Sequence, residues 1–82
     1  MAARTSLAQL QLASRRVLAA NLRLQRERLK LSQERAAEQV GFSLQYVQRI
    51  ERCIVNVPLD TLVRFALVYG VEPAELLMTP RR

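Results

Sequence analysis

The residues best suited to chemistry lie on one side of a short predicted helix, residues 43–52. Successive residues of an α-helix are about 100° apart, which places Val47 and Ile50 on the opposite side. The polar side carries two amides and two guanidinium groups and no carboxylate: Gln45, Gln48, Arg49 and Arg52. Arginine can donate a bidentate pair of hydrogen bonds to guanine O6 and N7, and glutamine can pair with adenine N6 and N7. The pattern is therefore suited to contacts with DNA base edges.

The charge of the chain also favours an anionic partner. The 82 residues include 13 Lys and Arg against seven Asp and Glu, a net charge of +6. Residues 1–30 hold seven of the basic residues and only one acidic residue, Glu27, so the excess lies in this segment. Such asymmetry is typical of an arm or face for a polyanion. The acid-free residues 1–26 also have the composition of an organellar transit peptide, but the helical pattern continues from them without a break.

Composition excludes most other chemistries. The chain has no histidine, which removes the commonest general base and metal ligand, and its one cysteine, Cys53, can form neither an internal disulfide nor a thiolate metal site. We expect no catalytic residue, no metal and no cofactor, and hence not an enzyme. No stretch approaches the length of a membrane span, so we expect a cytoplasmic protein with no membrane partner.

The apolar pattern predicts an all-α domain. Ser6 and Gln9 match a capping box, and no Gly or Pro interrupts residues 6–31, which form either one long helix or two with a bend near Ser14. Ser32 begins a short helix that Gly41 ends, and the third helix begins at Ser43.

Two further helices are predicted in the C-terminal part. Asp60 or a neighbour caps a fourth helix that ends at Gly70, and Pro73 opens a last short helix over residues 74–78.

The two short helices within residues 33–52 have the pattern of a steeply crossed pair. Such a pair needs a small residue at the contact, a turn residue that tolerates positive φ, and aliphatic side chains facing inward. These roles are filled in order by Ala37, Gly41, Phe42, Val47 and Ile50.

Residues 18–77 resemble the helix-turn-helix domain of phage repressors and Cro proteins, the XRE family, which includes restriction–modification controller proteins. The matching segments are 31–34, 40–41, 50–52, Asn56, 59–62 and 70–77. The resemblance implies a five-helix repressor-like domain with an extra or extended N-terminal helix, and a homodimer reading an operator with two half-sites about 34 Å apart. We divide the chain into an N-terminal extension (1–17), the DNA-binding domain (18–78) and a basic tail (79–82).

The resemblance also assigns roles to individual residues. It implies base contacts from four residues of the third helix: Leu44, Gln45, Gln48 and Arg49. It implies phosphate contacts from helix starts and their neighbours: Ser32, Gln33, Ser43, Tyr46 and Arg52. Arg26 and Glu51 match an internal ion pair of phage repressors. The alternatives are an ordinary solvated face for the polar residues of the third helix and partial packing for Tyr46.

Four features depart from the family pattern. Cys53 stands where a glycine usually ends the recognition helix, which leaves the path of the next loop open. Lys30 replaces a small turn residue, and Ala36 replaces a larger aliphatic one. The loop 53–58 contains no Lys or Arg, so phosphate contacts must come from elsewhere, with Arg4, Arg15 and Arg16 as candidates.

Three functions fit these observations. The first is a sequence-specific, homodimeric transcription regulator, such as a repressor. The second is an antitoxin or other partner-binding protein of the same fold that autoregulates its operon, and the third is a coactivator-like adaptor. Residues 1–16 either form an accessory helix, packed on the domain or a second copy through Leu7, Leu10 and Val17, or only enlarge the core.

Overall fold

The computed structural model describes residues 5–80, and in that range it contains four α-helices, one 3₁₀ helix and no strand. The helices are α1 (Leu7–Arg28), α2 (Gln33–Val40), α3 (Leu44–Glu51) and α4 (Leu59–Tyr69), followed by the 3₁₀ helix Pro73–Leu77. The predicted all-helical class is confirmed. The fifth predicted helix is present as a 3₁₀ helix and not as an α-helix.

A single helix, α1, runs unbroken past Ser14 from Leu7 to Arg28. Its start is the predicted capping box: Ser6 Oγ accepts from Gln9 N at 3.1 Å, and Gln9 Oε1 accepts from Ser6 N at 2.9 Å. No Gly or Pro interrupts the helix, which explains its length of 22 residues. The division at residues 17 and 18 therefore falls inside one continuous element.

Helices α2 and α3 begin and end at the residues that the sequence predicts. The hydroxyls of Ser32 and Ser43 accept hydrogen bonds from Arg35 N and Tyr46 N, at 3.0 and 3.1 Å. Gly41 ends α2 at a φ of 82°, and its amide donates to Ala37 O at 2.9 Å. The turn between the helices is therefore specified by local chemistry on both sides.

The start of α4 differs from the prediction. Its N-cap is Pro58, no side chain caps the helix, and Asp60 lies in the first turn. Proline presets φ near the helical value at this position, and the Asp60 carboxylate in the first turn interacts favourably with the helix dipole. Gly70 ends α4 at a φ of 71°, as predicted.

Asn21 fixes the last element against α1. Its Nδ2 donates to Leu76 O at 2.9 Å and to Met78 O at 2.7 Å. A five-residue segment that opens with Pro73 has room for very few α-helical hydrogen bonds, and helices this short commonly adopt 3₁₀ geometry.

The hydrophobic core contains residues from all four α-helices and from the 3₁₀ helix. Leu22, Val47, Ile50, Phe65 and Leu76 are each at most 2% exposed. The predicted inward residues Val47 and Ile50 are thus buried, and Ala36 is buried too, with no exposed surface. The four buried residues of α1 all lie in its second half: Leu18, Ala19, Asn21 and Leu22.

Candidate nucleic-acid interface

The outer face of α3 carries the predicted base-contacting residues. Gln45 and Arg49 are exposed, and Leu44 and Gln48 are half-buried on the flanks of the helix. Val47 and Ile50 anchor the other side in the core. Because α3 has only eight residues and two buried anchors, its orientation relative to α1 and α2 is fixed by packing.

The polar side chains of this face have no partner within residues 5–80. Gln45, Gln48, Arg49 and Arg52 form no side-chain hydrogen bond or ion pair among the described residues, and Glu51, the one acid of α3, points inward at 5% exposure. Arg15 and Arg16 are not engaged with the described part of the chain either, whereas five other arginines are: Arg23, Arg26, Arg28, Arg35 and Arg64. The donors of α3 are therefore available to an external acceptor.

Helix N-termini at α2 and α3 flank this face. The capping serines use oxygen lone pairs on the backbone, so each hydroxyl keeps a hydrogen to donate. Unpaired N–H groups at a helix start attract an anion, and both Ser32 and Ser43 are exposed. The geometry is compatible with the phosphate contacts expected of these two serines.

Gln33 belongs to a buried network centred on Glu51. Glu51 Oε2 accepts from Arg26 Nε at 2.8 Å, and Oε1 accepts from Arg26 Nη2 at 3.0 Å and from Gln33 Nε2 at 3.1 Å. The pKa of the Arg26 guanidinium is raised above its ordinary value, chiefly by the hydrogen bond to Glu51. Gln33 Nε2 has a second hydrogen, so the bond to Glu51 orients the amide and leaves one donor free.

Arg23 adds a contact that the sequence did not predict. Its Nη1 donates to Glu51 O at 2.6 Å, so α1 holds both the side chain and the backbone at the end of α3. Arg23 and Arg26 are three residues apart, which places them on one face of α1. That spacing is the only feature of the sequence that suggests a shared role for the two arginines, and it does not identify Glu51 as the residue that both contact.

Tyr46 has two alternative predicted roles, a phosphate contact and partial packing, and its position is compatible with both. Its ring is half-buried and meets Phe42 edge to face, with centroids 5.1 Å apart. The guanidinium of Arg64 covers the same Phe42 ring at 5.1 Å and donates to Val40 O at 3.4 Å. Arg64 thus caps the end of α2 from α4, a further contact that could not be predicted from the sequence.

The conformation at the end of α3 shows how the chain enters the following loop. Cys53 adopts a φ of 66°, its amide donates to Ile50 O at 3.0 Å, and Ile54 N donates to Arg49 O at 3.2 Å. A cysteine therefore takes the left-handed conformation usually given to glycine. Lys30, the second departure from the family pattern, does the same at a φ of 58°.

The first half of α1 is mostly outside the core. Leu7 is 71% exposed and Leu10 52%, so neither adds to the core of its own domain; Val17 is half-buried. Arg15 and Arg16 lie on this half, whereas Arg4 and the last two residues of the basic tail are outside the described residues.

Neither a metal site nor a membrane span is found in the described part of the chain. Within residues 5–80 no cluster of three His, Cys, Asp or Glu side chains is placed to hold a metal ion. None of the described helices has both the length and the apolar character that crossing a membrane requires.

Comparison with known proteins gives consistent results. Residues 17–77 match the family model described as a helix-turn-helix domain. The chain is 39% identical over 67 residues to a hypothetical transcription factor of Neisseria meningitidis serogroup B, covering 82% of this chain and 63% of that protein. The chain therefore corresponds to less than two thirds of that relative's length.

Solved structures show the same likeness. The crystal structure of the hypothetical transcription factor NHTF from Neisseria matches with a TM-score of 0.80 and 39% identity, covering 82% of this chain and 77% of the other. The restriction-modification controller protein C.AhdI from Aeromonas hydrophila matches with a TM-score of 0.74 and 34% identity, covering 79% and 94%.

Proposed function

Because this chain belongs to the helix-turn-helix domain family of DNA-binding proteins, we propose that it is a sequence-specific transcriptional regulator of the XRE type that binds operator DNA as a homodimer. Helix α3 enters the major groove. Leu44, Gln45, Gln48 and Arg49 contact base edges, and a group at the helix starts and at the end of α3 contacts phosphate: Ser32, Gln33, Ser43, Tyr46 and Arg52.

The observation that carries this proposal is the outer face of α3. A face with two exposed donors, Gln45 and Arg49, and no competing carboxylate supports hydrogen bonding to base edges. A solvated helix face would have no need of a rigid support. Here the backbone at Glu51 is held by Arg23, and its carboxylate is held by Arg26. Rigid presentation of a few donors favours sequence reading over general attraction to DNA.

Net charge supplies the second part of the mechanism. Residues 31–53, which include α2 and α3, have equal numbers of acidic and basic residues. The excess in residues 1–30 then contributes attraction and salt dependence, while α3 contributes sequence preference. No separate ligand-binding or catalytic step is part of the proposal, and the action on a promoter is occupancy, as expected of a repressor in the cytoplasm.

The test is selection of a preferred duplex from a random pool, followed by binding of Arg49→Ala to the selected and a scrambled duplex. We expect the variant to lose about 1–3 kcal/mol on the selected duplex, with relaxed preference at one base pair and a small change on the scrambled one. Arg28→Ala is the charge-matched control, because Arg28 lies on α1 and donates to Gln25. Equal losses on both duplexes would make Arg49 a phosphate contact and contradict base reading.

An antitoxin or other partner-binding protein of the same fold is the alternative. It predicts that DNA affinity rises strongly when a second protein encoded beside it is added. Full sequence-specific binding by the purified chain alone favours the regulator.

A further inference from the structure

Arg64 on α4 contacts the turn between α2 and α3 in two ways. Its Nη1 donates at 3.4 Å to the carbonyl of Val40, the last residue of α2, and its guanidinium lies over the Phe42 ring, 5.1 Å from the centroid. The same nitrogen is 3.4 Å from the position that a Cβ would take at Gly41. The guanidinium therefore spans the turn, from the end of α2 to the residue before Ser43, the N-cap of α3.

Phe42 connects this contact to α3. Its ring meets the Tyr46 ring edge to face, with centroids 5.1 Å apart and planes at 81°. It also packs against Phe65 of α4, with centroids 5.9 Å apart. Aromatic pairs have preferred geometries, so fixing one ring orients the other. Tyr46 is the third residue of α3, and Phe42 thus links Arg64 to the first turn of the proposed recognition helix.

The hydroxyl of Tyr46 is available to an external acceptor. It forms no hydrogen bond within residues 5–80, and the side chain is half-buried. Among the described residues the buried hydroxyl without a partner is that of Tyr69, so the Tyr46 hydroxyl meets solvent. A side chain that is already held in place loses less entropy when it forms a bond to a ligand. A fixed Tyr46 ring should therefore donate to a phosphate oxygen more favourably than a mobile one.

The place of the Arg64 guanidinium is set by the turn itself. Arg64 forms no ion pair with the described residues, so no carboxylate there competes for it. Its two contacts are a carbonyl at the end of a helix and the face of an aromatic ring, both of which attract a cation.

We propose that Arg64 is a positioning residue for DNA binding. It holds the Phe42 ring, and through that ring it keeps Tyr46 in the orientation that reaches phosphate, while Arg64 itself does not touch DNA. The inference rests on the phosphate contact of Tyr46 in the proposed function and adds the residue on which that contact depends. With Arg23 bonded to the Glu51 carbonyl, both ends of α3 are then held by arginines of other helices.

The first test is a double-mutant cycle for affinity on the selected duplex. We expect Tyr46→Phe to weaken binding about three- to tenfold and Arg64→Gln about two- to fivefold. Because Arg64 acts through Tyr46, Arg64→Gln should add little to the loss already caused by Tyr46→Phe. Arg28→Gln is the control, since it removes an exposed arginine of α1 and measures the general effect of one charge. An Arg64→Gln loss no larger than that of Arg28→Gln, or equal losses in both backgrounds, overturns the inference.

Salt dependence separates positioning from direct contact. Loss of a phosphate contact lowers the slope of log affinity against log salt by about one. We expect Arg64→Gln to have the same slope as Arg28→Gln. A slope lower by about one in Arg64→Gln alone would make Arg64 a phosphate contact and overturn the positioning role.

The second test is NMR of the full chain without DNA. The ring current of Phe42 shifts the Tyr46 ring protons from their values in an unstructured chain, and Arg64→Gln should move them towards those values. The ring protons of Tyr69, which lies in the core, should change little, and thermal unfolding checks that the variant keeps its fold. Unchanged Tyr46 shifts overturn the inference. Because no DNA is present, this measurement decides whether Arg64 orients Tyr46 even if Arg49→Ala refutes base reading.

Discussion

Arg26 on α1 and Glu51 at the end of α3 form a two-bond ion pair, with Nε to Oε2 at 2.8 Å and Nη2 to Oε1 at 3.0 Å. The Glu51 side chain is only 4% exposed and that of Arg26 13%. The pair therefore replaces hydration by direct bonds between the first helix of the domain and the proposed recognition helix.

Removing one partner of this pair should be costly. Glu51→Ala leaves the Arg26 guanidinium buried without its carboxylate, so we expect the free energy of unfolding to fall by about 3 kcal/mol or more in urea denaturation. The control is Glu38→Ala, which breaks the exposed pair with Arg35 at 3.2 Å and should change stability little. Similar losses from both changes would show that burial does not set the value of the pair.

The buried hydroxyl of Tyr69 should reduce stability. Tyr69 is 2% exposed, and its hydroxyl has no hydrogen-bond partner among the described residues. Tyr69→Phe removes an unsatisfied group, so we expect the free energy of unfolding to rise by about 1 kcal/mol at neutral pH. A decrease measured in urea would mean that the hydroxyl has a partner, such as a bound water.

Tyr69 should also make the free energy of unfolding depend on pH in the alkaline range. Burial raises the pKa of Tyr69 from 10.0 to about 12. The folded state thus favours the neutral phenol, and the unfolded state loses its proton first. The stability that arises from this pKa difference is fully present below pH 10 and is lost as pH rises through 12. We expect the free energy of unfolding to fall by about 3 kcal/mol over that range, and Tyr69→Phe should abolish the fall. An unchanged pH profile in the variant would assign the alkaline loss to other groups.

Two non-glycine residues in the left-handed region offer sites for stabilisation. Lys30 and Cys53 have φ of 58° and 66°. Replacing either by glycine relieves the contact between Cβ and the backbone. Glycine also adds entropy to the unfolded chain, which lowers the benefit, so we expect the free energy of unfolding to rise by a net amount of about 0.5–1 kcal/mol. The reverse control is Gly70→Ala, which has open space around the new Cβ at a φ of 71° and should lose stability from backbone strain alone.

Two proposed phosphate contacts should differ in salt dependence. Gln33→Ala removes a neutral donor, so we expect weaker binding to all duplexes with an unchanged slope of log affinity against log salt. Arg52→Ala removes a charge and should lower the slope by about one. Binding measured at several salt concentrations separates the two. A Gln33→Ala loss confined to one base pair would place this residue among the base contacts.

Local signals in the sequence predict most of the fold. The capping serines, the two left-handed glycines and the 100° periodicity specify where helices begin, end and face, and each acts within four residues. Asp60 was expected as a possible cap, but Pro58 already presets the backbone at the start of α4. The last element is a 3₁₀ helix because it has only five residues, and its attachment to Asn21, more than fifty residues away, could not be read from local signals.

Contacts between residues far apart in the chain could not be predicted from the sequence. Arg23 on the Glu51 carbonyl and Arg64 on the Val40 carbonyl depend on where α1 and α4 lie after folding. The donors on α3 could be placed on one face from spacing alone. That they remain unpaired within residues 5–80 required the structure.

The continuity of α1 has a mechanical consequence for operator choice. With no glycine or proline between Leu7 and Arg28, the helix has no hinge. Its second half is bonded to α3 at Glu51 through Arg23 and Arg26. In the proposed homodimer each recognition helix would then be held by a stiff rod instead of a flexible tether. Such a dimer should tolerate little insertion or deletion between its half-sites.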